Sequence, residues 1–579
     1  MRQPRLSASA AAVALAFASL VSAHGQTVAP SAGAPRPGLP PRDTQRPAAT
    51  GTARIRGRVV MPDTGAPLRR AQITLVSLDV AIRRVVTTDT QGRYEFADLP
   101  AGRYNVMAGK GGYVTLQYGQ RRPFEPGRPV TIADGQTVEQ VDFALPRGSA
   151  IVGKVTDEFG EPITGVQLQV QRYTYMPGGQ RRLTFAGAGV SMSTNDLGEF
   201  RVFGLMPGEY IVSAVARGGM NFQQGASGST DSFEGYAPSY YPGTPNPAEA
   251  QPVTVALGQE LTLNFSLVAA RMARITGSAF DSQGRPAVGA FLSLVTRGPS
   301  VVYGMSSGTV SADGSFTLIN VAPGEQMLQA QVNPRAPGDE RESASVPVTV
   351  AGADITGLRI TTSPGATIGG TVVFQGTSAR TGEPIPRITV QDARPDEPGA
   401  IFFNQDSGNG LIAEDGTFTI KGIAPREFLF RAFTPQAWTL KSVTLDGDDI
   451  TDVPIRVTES GKLGTVKVVL TDQVTEVSGT VTGAHGEAVK DYVVIVHPVE
   501  EREGTAATRY IRTARPDQNG GFRIRALPPG RYLAAAVEQL EQGREWDPEF
   551  VRRFRDAAKP VTLVEGQTLT LSLPLTGIQ

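Results

Sequence analysis

The sequence has no cysteine and only three histidines, His24, His485 and His497. Without cysteine the chain has no disulfide framework, no thiolate metal site and no lipid-modified thiol. Its 55 lysines and arginines balance its 55 aspartates and glutamates, which argues against nucleic acid or an anionic membrane surface as the main partner. Helix-period patterns are almost absent, and 66 glycines and 43 prolines indicate many short strands joined by turns.

The shortage of histidine also limits the catalytic constellations that the chain can form. His497 and Glu500 match the first half of a zinc carboxypeptidase motif, but zinc needs three protein ligands and no later histidine follows. No Gly-x-Ser-x-Gly motif is followed by a suitable histidine. The sequence therefore predicts no catalytic residue, no metal and no cofactor. Paired carboxylates stay open, so a hydrolase (peptidase or glycosidase) with an unrecognised carboxylate site is the alternative.

The densest acidic cluster is Asp446, Asp448 and Asp449. A calcium loop of the EF-hand type would need a glutamate at its twelfth position, and none follows at that distance. Aspartate next to glycine is also turn chemistry, because the carboxylate accepts hydrogen bonds from nearby backbone N–H groups. We therefore interpret these aspartates as turn formers.

Residues 1–23 have the pattern of a signal peptide. Arg2 and Arg5 precede an apolar stretch from Leu6 to Val21, and Val21-Ser22-Ala23 offers a small-residue cleavage site. The stretch is shorter than the roughly 20 apolar residues of a membrane span, and no second spanning run follows. The sequence predicts an exported protein (periplasmic, cell-surface or secreted) without a stable membrane span after cleavage. Residues 24–52, rich in proline and alanine, are predicted to be a linker.

One motif recurs five times in the remaining chain. In its first copy an Asp89–Gly92 turn precedes Tyr94, and a Leu-Pro-x-Gly-x-Tyr corner ends at Tyr104. The spacing between the aromatic residue and the end of the corner is identical in every copy. The other copies place these two positions at Phe200 and Tyr210, Phe316 and Gln326, Phe418 and Phe428, and Phe522 and Tyr532. Five copies with fixed internal spacing predict five copies of one structural unit.

Each copy predicts a hairpin followed by a corner. Asp-Gly forms the hairpin turn, with Asp196 as the turn aspartate of the second copy, and alternating polar and apolar residues such as Tyr94-Glu95-Phe96 form the strand after it. The Pro-Gly pair predicts a type II turn, which Arg426 in the fourth copy would strain or change. Each copy is preceded by a strand with an internal glycine, such as Gly57, which indicates a bulge or a close backbone approach.

The strand pattern predicts an all-β protein of five tandem seven-stranded Greek-key β-sandwiches with one short helix near the C-terminus. The predicted sandwiches 1 to 5 are residues 53–147, 148–269, 270–362, 363–472 and 473–579. We expect them to follow one another as a rod. The helix is predicted over Pro548–Ala558, with Asp547 as N-cap and an apolar face of Phe550 and Phe554 that packs on its own sandwich.

The strand glycine, the Gly-x-Pro turn, the Asp-Gly turn before an aromatic residue and the Leu-Pro-x-Gly-x-Tyr corner together resemble the carboxypeptidase regulatory-like domain. This resemblance implies a transthyretin-like sandwich, grouped with carbohydrate-binding-like folds, and extends over residues 53–579. Such domains occur beside peptidases, in front of outer-membrane receptors and in tandem in exported bacterial proteins. The chain resembles the tandem type, because no peptidase or barrel domain is visible in its sequence.

Two stretches, 172–190 and 217–250, do not repeat and are predicted to be loops rich in glycine and aromatic residues. Tyr236, Tyr240 and Tyr241 are the candidate ligand-binding residues, because tyrosine rings on a loop can stack on sugar rings. The alternative is that these rings pack the loop onto the sandwich. Lys154 and Asn264 offer the residue types of an isopeptide crosslink, but the other copies lack the lysine, and we expect Lys154 to face solvent.

The function predicted from these features is that of an exported, non-catalytic structural or binding protein. Its expected partner is a polysaccharide, in keeping with carbohydrate binding, or an envelope protein.

Overall fold

The computed structural model describes residues 51–79, 82–186, 192–216, 234–296, 306–334, 340–378, 387–393, 409–434, 437–458, 461–500 and 509–577. The predicted signal peptide, most of the linker and residues 217–233 lie outside the described residues. Within them the protein is all-β with a single α-helix, as predicted. None of the described helices is long and apolar enough to cross a membrane.

Sandwiches 1 and 2 contain the first twenty strands. Those of sandwich 1 are β1 Ala53–Val60, β2 Gln72–Ser77, β3 Arg83–Thr87, β4 Arg93–Leu99, β5 Gly102–Gly109, β6 Leu116–Gln117, β7 Val130–Ile132, β8 Thr137–Val138 and β9 Phe143–Ala144. Sandwich 2, with its continuation into sandwich 3, has β10 Ser149–Thr156, β11 Val166–Tyr175, β12 Arg181–Phe185, β13 Met192–Ser193, β14 Glu199–Leu205, β15 Gly208–Ala216, β16 Glu234–Ala237, β17 Ser239–Tyr240, β18 Val253–Val255, β19 Glu260–Ser266 and β20 Val268–Arg271. A 3₁₀ helix spans Pro247–Glu249.

The remaining strands follow the same plan. Sandwich 3 has β21 Ala273–Phe280, β22 Phe291–Thr296, β23 Ser307–Thr309, β24 Ser315–Val321, β25 Gly324–Val332, β26 Glu342–Val350 and β27 Ile355–Thr361. Sandwich 4 has β28 Ala366–Gln375, β29 Arg387–Asp392, β30 Asn409–Leu411, β31 Thr417–Ile423, β32 Glu427–Phe433, β33 Thr439–Leu445, β34 Asp448–Asp449, β35 Ile455–Arg456 and β36 Gly461–Thr471. Sandwich 5 has β37 Glu476–Thr482, β38 Ala488–Val489, β39 Val493–Pro498, β40 Arg512–Ala514, β41 Phe522–Arg525, β42 Gly530–Val537, a 3₁₀ helix Arg544–Trp546, α1 Pro548–Ala557, β43 Lys559–Leu563 and β44 Thr568–Thr576.

The repeats share a core of strand pairings. The first strand pairs antiparallel with the strand after the Asp-Gly turn and parallel with a closing strand, as β21 does with β24 and β27. A second set of strands forms around a central antiparallel pair, such as β22 and β25. In sandwich 5 the two sets join into one eight-stranded sheet, because β44 pairs with both β37 and β42, and in sandwich 4 the closing strand β36 also pairs with β33. Five apolar clusters fill the repeats, each built mainly from one of them. Among the described residues only sandwich 3 has the predicted seven strands, since the others carry additional short ones. The exact domain boundaries stay a prediction.

The glycine of each first strand lies where the sheet leaves no room for a side chain. Gly57 pairs with Tyr94 of β4, and a Cβ atom on Gly57 would lie 2.0 Å from the carbonyl oxygen of Val141. The equivalent glycines of the other repeats, Gly153, Gly277, Gly370 and Gly479, pair with the motif aromatics Phe200, Phe316, Phe418 and Phe522. Their Cβ atoms would lie 1.7 to 2.4 Å from a carbonyl oxygen of the closing strand. The predicted close backbone approach is confirmed.

The corner differs from the predicted type II turn, which needs φ near +80° at its glycine. Gly102 and Gly530 have φ of 155° and 158°, and Gly208 and Arg426 are not among the residues with positive φ. In each repeat the residue with left-handed φ lies earlier in the corner. It directly precedes the apolar residue, such as Leu99 in the first repeat, with which the corner begins. It is Asp98, Gly204, Asn320, Gly422 and Ala526 in the five repeats, with φ between 53° and 82°. In the first four repeats the strand register shifts there, as in a β-bulge with a left-handed residue. The type II prediction is wrong because the bulge turns the chain before the Pro-Gly pair.

The tyrosine that ends the motif closes the corner by a hydrogen bond. The hydroxyls of Tyr104, Tyr210 and Tyr532 donate to the carbonyl oxygens of Pro100, Met206 and Pro528 at 2.7, 2.6 and 2.6 Å. In sandwich 3 the amide of Gln326 donates to Ala322 at 3.4 Å, and Phe428 of sandwich 4 has no donor at this position. This bond is the physical reason for a polar group at the end of an otherwise apolar motif.

The motif aspartates form turns, as predicted, with one exception. Asp89 and Asp517 accept backbone N–H groups two and four residues ahead. Hydrogen bonds from the side chains and backbones of Ser315 and Thr417 lower the pKa of Asp313 and Asp415. In sandwich 2 the predicted Asp196 is wrong. Asn195 takes the turn position and accepts from the N–H groups of Leu197 and Glu199 at 3.0 and 2.8 Å.

The predicted helix is confirmed as α1, one residue shorter at its C-terminal end. The carboxylate of Asp547 caps it by accepting the N–H of Glu549 at 3.0 Å, and Pro548 occupies the first turn. Phe550 and Phe554 are buried against Val493 and Val537 of sandwich 5. The helix therefore packs on its own sandwich, as expected.

The chain does not continue as the expected rod, because sandwich 5 packs against sandwiches 1 and 2. Arg515 of sandwich 5 forms a buried ion pair with Glu125 of sandwich 1. Arg172 of sandwich 2 pairs with Glu541 of sandwich 5 at 2.8 Å. Sandwich 5 also contacts sandwich 4, for example through the Tyr510 hydroxyl and Asp452 at 2.6 Å. The repeat motif specifies each unit but contains no information about which units meet, so this packing was not predicted.

The left-handed position of the corner predicts opposite changes in stability for two substitutions, one that introduces glycine there and one that removes it. Ala526→Gly should stabilise sandwich 5 by roughly 0.5–1 kcal/mol, because an L-residue with a Cβ pays about that much or more in this conformation. Gly204→Ala should destabilise sandwich 2 by about 1 kcal/mol for the same reason. The nearest atom to the new Cβ at position 204 would lie 3.6 Å away, so strain and not crowding is tested. Hydrogen exchange of β42 and β15 amides measures both. Shifts of equal sign in the two variants would contradict the assignment.

Because the corner hydroxyl of Tyr210 is buried, we expect the free energy of unfolding of sandwich 2 to decrease at alkaline pH. Burial raises the pKa of Tyr210 from 10.0 to about 12, and Arg172 opposes the shift only in part. The contribution of this phenol is therefore complete below pH 10 and disappears as the pH rises towards 12, for a loss of roughly 2 kcal/mol. Tyr210→Phe should cost about 1 kcal/mol at neutral pH and flatten this pH dependence. Urea unfolding at pH 8, 10 and 11.5 measures it, and an unchanged slope in the variant would refute the role of the hydroxyl.

Candidate functional site

The three tyrosines predicted to bind a ligand lie in and beside β16 and β17. Tyr240 is buried, with 3% of its surface exposed, in a small apolar cluster with Leu183 and Ile211. Tyr236 and Tyr241 are half-buried against the core of sandwich 2, and the Tyr241 ring lies edge-on to Phe265 at 6.0 Å. These contacts correspond to the loop-packing alternative, and ligand binding by these residues stays a prediction.

The other stretch that does not repeat lies at a place where three sandwiches meet. Residues 172–185, predicted to be part of a loop, form an extended hairpin of β11 and β12 with Tyr173 paired to Leu183. This loop prediction is wrong, because the alternating residues of both arms continue the strand pairing. The hairpin faces residues 118–129 of sandwich 1, between β6 and β7, and residues 538–550 of sandwich 5, which run from the end of β42 into the first turn of α1. We call this meeting place the junction.

Phe124 of sandwich 1 is the residue that touches all three sandwiches at the junction. Its ring lies edge-on to Tyr210 at 6.3 Å and packs on the core of sandwich 2. The guanidinium carbon of Arg172 lies 3.6 Å from the ring centroid, and the Phe124 carbonyl oxygen accepts the N–H of Gln542 from sandwich 5 at 3.0 Å. Phe124 has φ of 58°, a strained conformation for a bulky residue that surrounding contacts must maintain.

A buried ion pair anchors sandwich 5 to sandwich 1 beside Phe124. The side chains of Arg515 and Glu125 are 2% and 3% exposed. Arg515 also pairs with Asp491 at 2.7 Å and donates to the carbonyl oxygen of Gly119 at 3.2 Å. Arg515 therefore has acceptors on both sandwiches, as a buried guanidinium requires.

Further polar contacts fix the register of the two sandwiches. Gln518 exchanges two hydrogen bonds with the backbone of Thr131, donating to its oxygen at 2.6 Å and accepting from its N–H at 3.0 Å. Arg128 donates to the carbonyl oxygens of Pro516 and Asp517 at 3.2 and 2.6 Å, and its burial lowers its pKa. Such contacts specify one orientation, because each needs its own partner at hydrogen-bonding distance.

A cavity of about 420 Å³, open to solvent, lies at the junction. Its walls come from all three sandwiches and include Arg122, Phe124, Arg172, Tyr173, Arg181 and Arg544. The volume lies in the range of small-molecule sites. Seven of the fifteen lining residues are charged, a larger share than such sites usually have, and apolar rings lie beside them. The geometry is suited to binding a polar ligand with an apolar face.

The cavity and the rest of the described residues offer no group of three histidine, aspartate or glutamate side chains placed to hold a metal ion. His497 lies at the end of β39 with Nδ1 3.0 Å from the Pro498 carbonyl oxygen, and Glu500 pairs with Arg531. The two residues of the zinc-like motif therefore serve local contacts. Asp449 acts as a turn residue, since it accepts the backbone N–H of Thr451, two residues ahead, at 2.9 Å. Asp446 lies in the turn between β33 and β34 with φ of 51°, and its carboxylate accepts the N–H of Thr465 in β36 at 2.8 Å.

The isopeptide residue types do lie side by side in sandwich 2. Lys154 of β10 and Asn264 of β19 are register partners. The Asn264 side-chain oxygen accepts the backbone N–H of Lys154 at 2.9 Å. The amide of Asn264 thus completes the pairing of the two strands at this position.

The junction residues carry little signal in the sequence. Phe124, Glu125 and Arg128 lie between β6 and β7 in a proline-rich connection, and Arg515 lies just before a motif turn. Each is an ordinary residue in its own repeat, and only the packing of three repeats brings them together. The signal that was available belongs to the facing hairpin, since Arg172 and Tyr173 lie in the stretch 172–190, which does not repeat.

The buried ion pair predicts a large effect from removing one partner. Arg515→Met should destabilise the interface between sandwiches 1 and 5 by about 3 kcal/mol, because Glu125 would be left buried without its cation. Glu125→Gln together with Arg515→Met should recover part of this loss. Arg54→Met is the matched control, since its pair with Glu95 is exposed and worth at most about 1 kcal/mol. Thermal unfolding and hydrogen exchange of residues 118–131 measure the effects, and equal losses at Arg515 and Arg54 would disprove the anchoring role.

Comparison with known proteins identifies part of the chain by sequence. No curated protein sequence matches the chain. Among solved structures, the TIE protein of Bacillus anthracis has 10% identity and a TM-score of 0.14, with 69% of this chain and 68% of that chain covered. A minor pilin of Streptococcus agalactiae has 12% identity and a TM-score of 0.19, covering 37% and 95%. Two B repeat units of the collagen-binding protein of Staphylococcus aureus have 13% identity and a TM-score of 0.12, covering 73% and 99%.

The sequence model of the carboxypeptidase regulatory-like domain matches residues 54–146. This segment is sandwich 1 almost from end to end, and it contains the first copy of the hairpin and corner motif. The resemblance drawn from the motif is thus confirmed for this part of the chain. Residues 54–146 are a carboxypeptidase regulatory-like domain.

Proposed function

We propose that the protein is an exported, non-catalytic structural and binding protein of the cell envelope, and that its partner is a polysaccharide or an envelope protein. The observation that carries this proposal is the junction. A buried ion pair joins sandwiches 1 and 5, Arg172 of sandwich 2 contacts both of them through Phe124 and Glu541, and segments of all three line one cavity.

The distribution of differences between the repeats supports a binding role for this cavity. The residues that the repeats have in common stabilise the sandwich itself. They are the strand glycine, the left-handed residue of the bulge and the residue whose hydroxyl closes the corner. The hairpin of sandwich 2 and the 538–550 segment of sandwich 5 are additions to that plan. Binding residues commonly lie on such connections, held by a rigid scaffold. The additions therefore have the position expected of a ligand site.

The carboxylates of the cavity favour binding over hydrolysis. Glu125 and Glu541 are each engaged by an arginine, Arg515 and Arg172. A general acid needs a free path to the substrate, and a carboxylate held by a guanidinium does not have one. Among the described lining residues only Glu209 is a carboxylate without an ion pair, and glycoside hydrolysis ordinarily needs two carboxyl groups.

Export is the part of the proposal that rests on sequence alone. The basic start, the apolar stretch to Val21 and the small residues at 21–23 support secretion. An absence of cysteine is compatible with an oxidising compartment, because domains of this size are stabilised by their own cores.

The proposal predicts retention on a polymer without turnover. Full-length mature protein should be retained on at least one insoluble polysaccharide or on a cell-envelope fraction. No reducing sugar or new peptide end should form during prolonged incubation. Retention is measured by co-sedimentation, and turnover by product assays on the same samples.

Glu209→Gln is the control for the hydrolase alternative, because it removes the one cavity carboxylate without a described ion pair and keeps the side-chain size. Product release by the wild type that is lost in this variant would establish a hydrolase and overturn the proposal. Absence of retention on every polysaccharide and every envelope fraction would also overturn it.

A further inference from the structure

Four arginines line the junction cavity, and three of them have carboxylate partners. Arg122 pairs with Glu538 at 2.6 Å, Arg172 with Glu541 at 2.8 Å, and Arg544 with Asp547 at 3.5 Å. The fourth, Arg181 at the start of β12, lies within salt-bridge distance of no carboxylate in the described part of the chain. Its guanidinium carbon lies 4.3 Å from the centroid of the Tyr173 ring, which holds the cation at the wall. Arg181 is therefore a positioned cation without a counter-charge.

Glu209 is the matching polar group of the opposite sign. It is exposed, it follows Gly208 at the corner of sandwich 2, and it lines the same cavity. No described cation lies within salt-bridge distance of it. A ligand that satisfies both groups needs an anionic group for Arg181 and hydrogen-bond donors for Glu209.

The apolar part of the lining limits how such a ligand can be held. Pro207, Leu540 and Phe550 contribute apolar surface to the cavity. The Phe124 and Tyr173 rings, by contrast, each have one face covered by a guanidinium, that of Arg172 and that of Arg181. This leaves a neutral sugar less open aromatic surface for stacking. The group in the lining that best distinguishes an acidic from a neutral ligand is the guanidinium of Arg181.

The size of the cavity favours a compact ligand. A volume of about 420 Å³ is near the lower end of the range for small-molecule sites. One or two sugar rings fit this scale, with C–H faces against the apolar wall and hydroxyl groups towards Glu209. A carboxylate matches the planar donor geometry of Arg181.

From these features we infer that the junction cavity binds a saccharide that carries a carboxylate, of the uronic acid class. The inference rests on the proposed binding function and names the ligand class of the same site. Arg181 would bind the carboxylate, Glu209 would accept hydrogen bonds from hydroxyl groups, and Pro207, Leu540 and Phe550 would contact the ring.

The test compares an acidic and a neutral disaccharide of equal size. Isothermal titration of the mature wild-type protein with digalacturonate should give saturable binding that weakens as salt is raised. The neutral galactose disaccharide should bind at least tenfold more weakly. In Arg181→Met the ratio of acidic to neutral binding should fall to about one. Arg93→Met is the control and should keep the wild-type ratio, because Arg93 is an exposed arginine of β4 that does not line the cavity. A preference ratio is insensitive to a partly unfolded fraction, because that fraction lowers both bindings equally.

Three results would overturn the inference. They are equal binding of the neutral disaccharide, an unchanged preference in Arg181→Met, and equally tight binding of a Glu-Glu dipeptide. If wild-type protein bound neither disaccharide but still sedimented with a polysaccharide without turnover, the ligand class would fail and the proposed function would stand. Product release lost in Glu209→Gln would instead end the proposed function itself.

Discussion

The ion pair between Arg515 and Glu125 is the interaction on which the arrangement of the sandwiches at the junction depends. Both side chains are almost fully buried, so their charges are removed from water at a considerable cost. A pair of this kind contributes little net stability compared with apolar residues of the same size, but it tolerates few alternative arrangements. Because Arg515 also bonds to Asp491 and Gly119, one side chain has acceptors on both sandwiches. The pair therefore specifies how the last repeat meets the first.

The repeated elements supply the rigidity that this contact needs. In each sandwich the first strand has no room for a Cβ at its glycine, so first and last strands are held in a single register. The bulge and the corner then define where the next strand begins. At Gly208 the same element also serves the junction, since a Cβ there would lie 2.9 Å from Cε2 of Phe124. A position fixed by the motif of sandwich 2 thus makes the space that a residue of sandwich 1 occupies.

The sequence predicts the elements that depend on local chemistry. The helix followed from Asp547 and Pro548, and the backbone approach followed from the strand glycines, because caps and missing side chains act over a few residues. The turn type at Pro-Gly was missed because a bulge at Gly204 and its equivalents is a property of two paired strands. A proline and a glycine restrict φ, but they do not report how many residues the partner strand contributes.

The candidate site was beyond prediction for a related reason. Phe124, Arg172 and Arg515 lie in three different repeats, and none of them forms a motif with its neighbours in sequence. The expectation of a rod assumed that each sandwich contacts only the next, as in a repeat array. The chain has no formal net charge, and this sum gives no indication that Arg181 lacks a carboxylate partner in the described part of the chain. Net charge adds distant residues together, whereas recognition depends on which charges share one wall.

A cavity shared by three sandwiches has a thermodynamic consequence that a site within one sandwich lacks. A ligand that binds only when the walls are assembled stabilises the assembled state by mass action. Its binding energy then supports the same packing as the Arg515 pair, whose partner Glu125 itself lines the cavity. The ion pair keeps the walls in place before binding, so little ordering remains to be done when the ligand enters. The structural role and the proposed binding role of the protein would in this sense be one property of the junction.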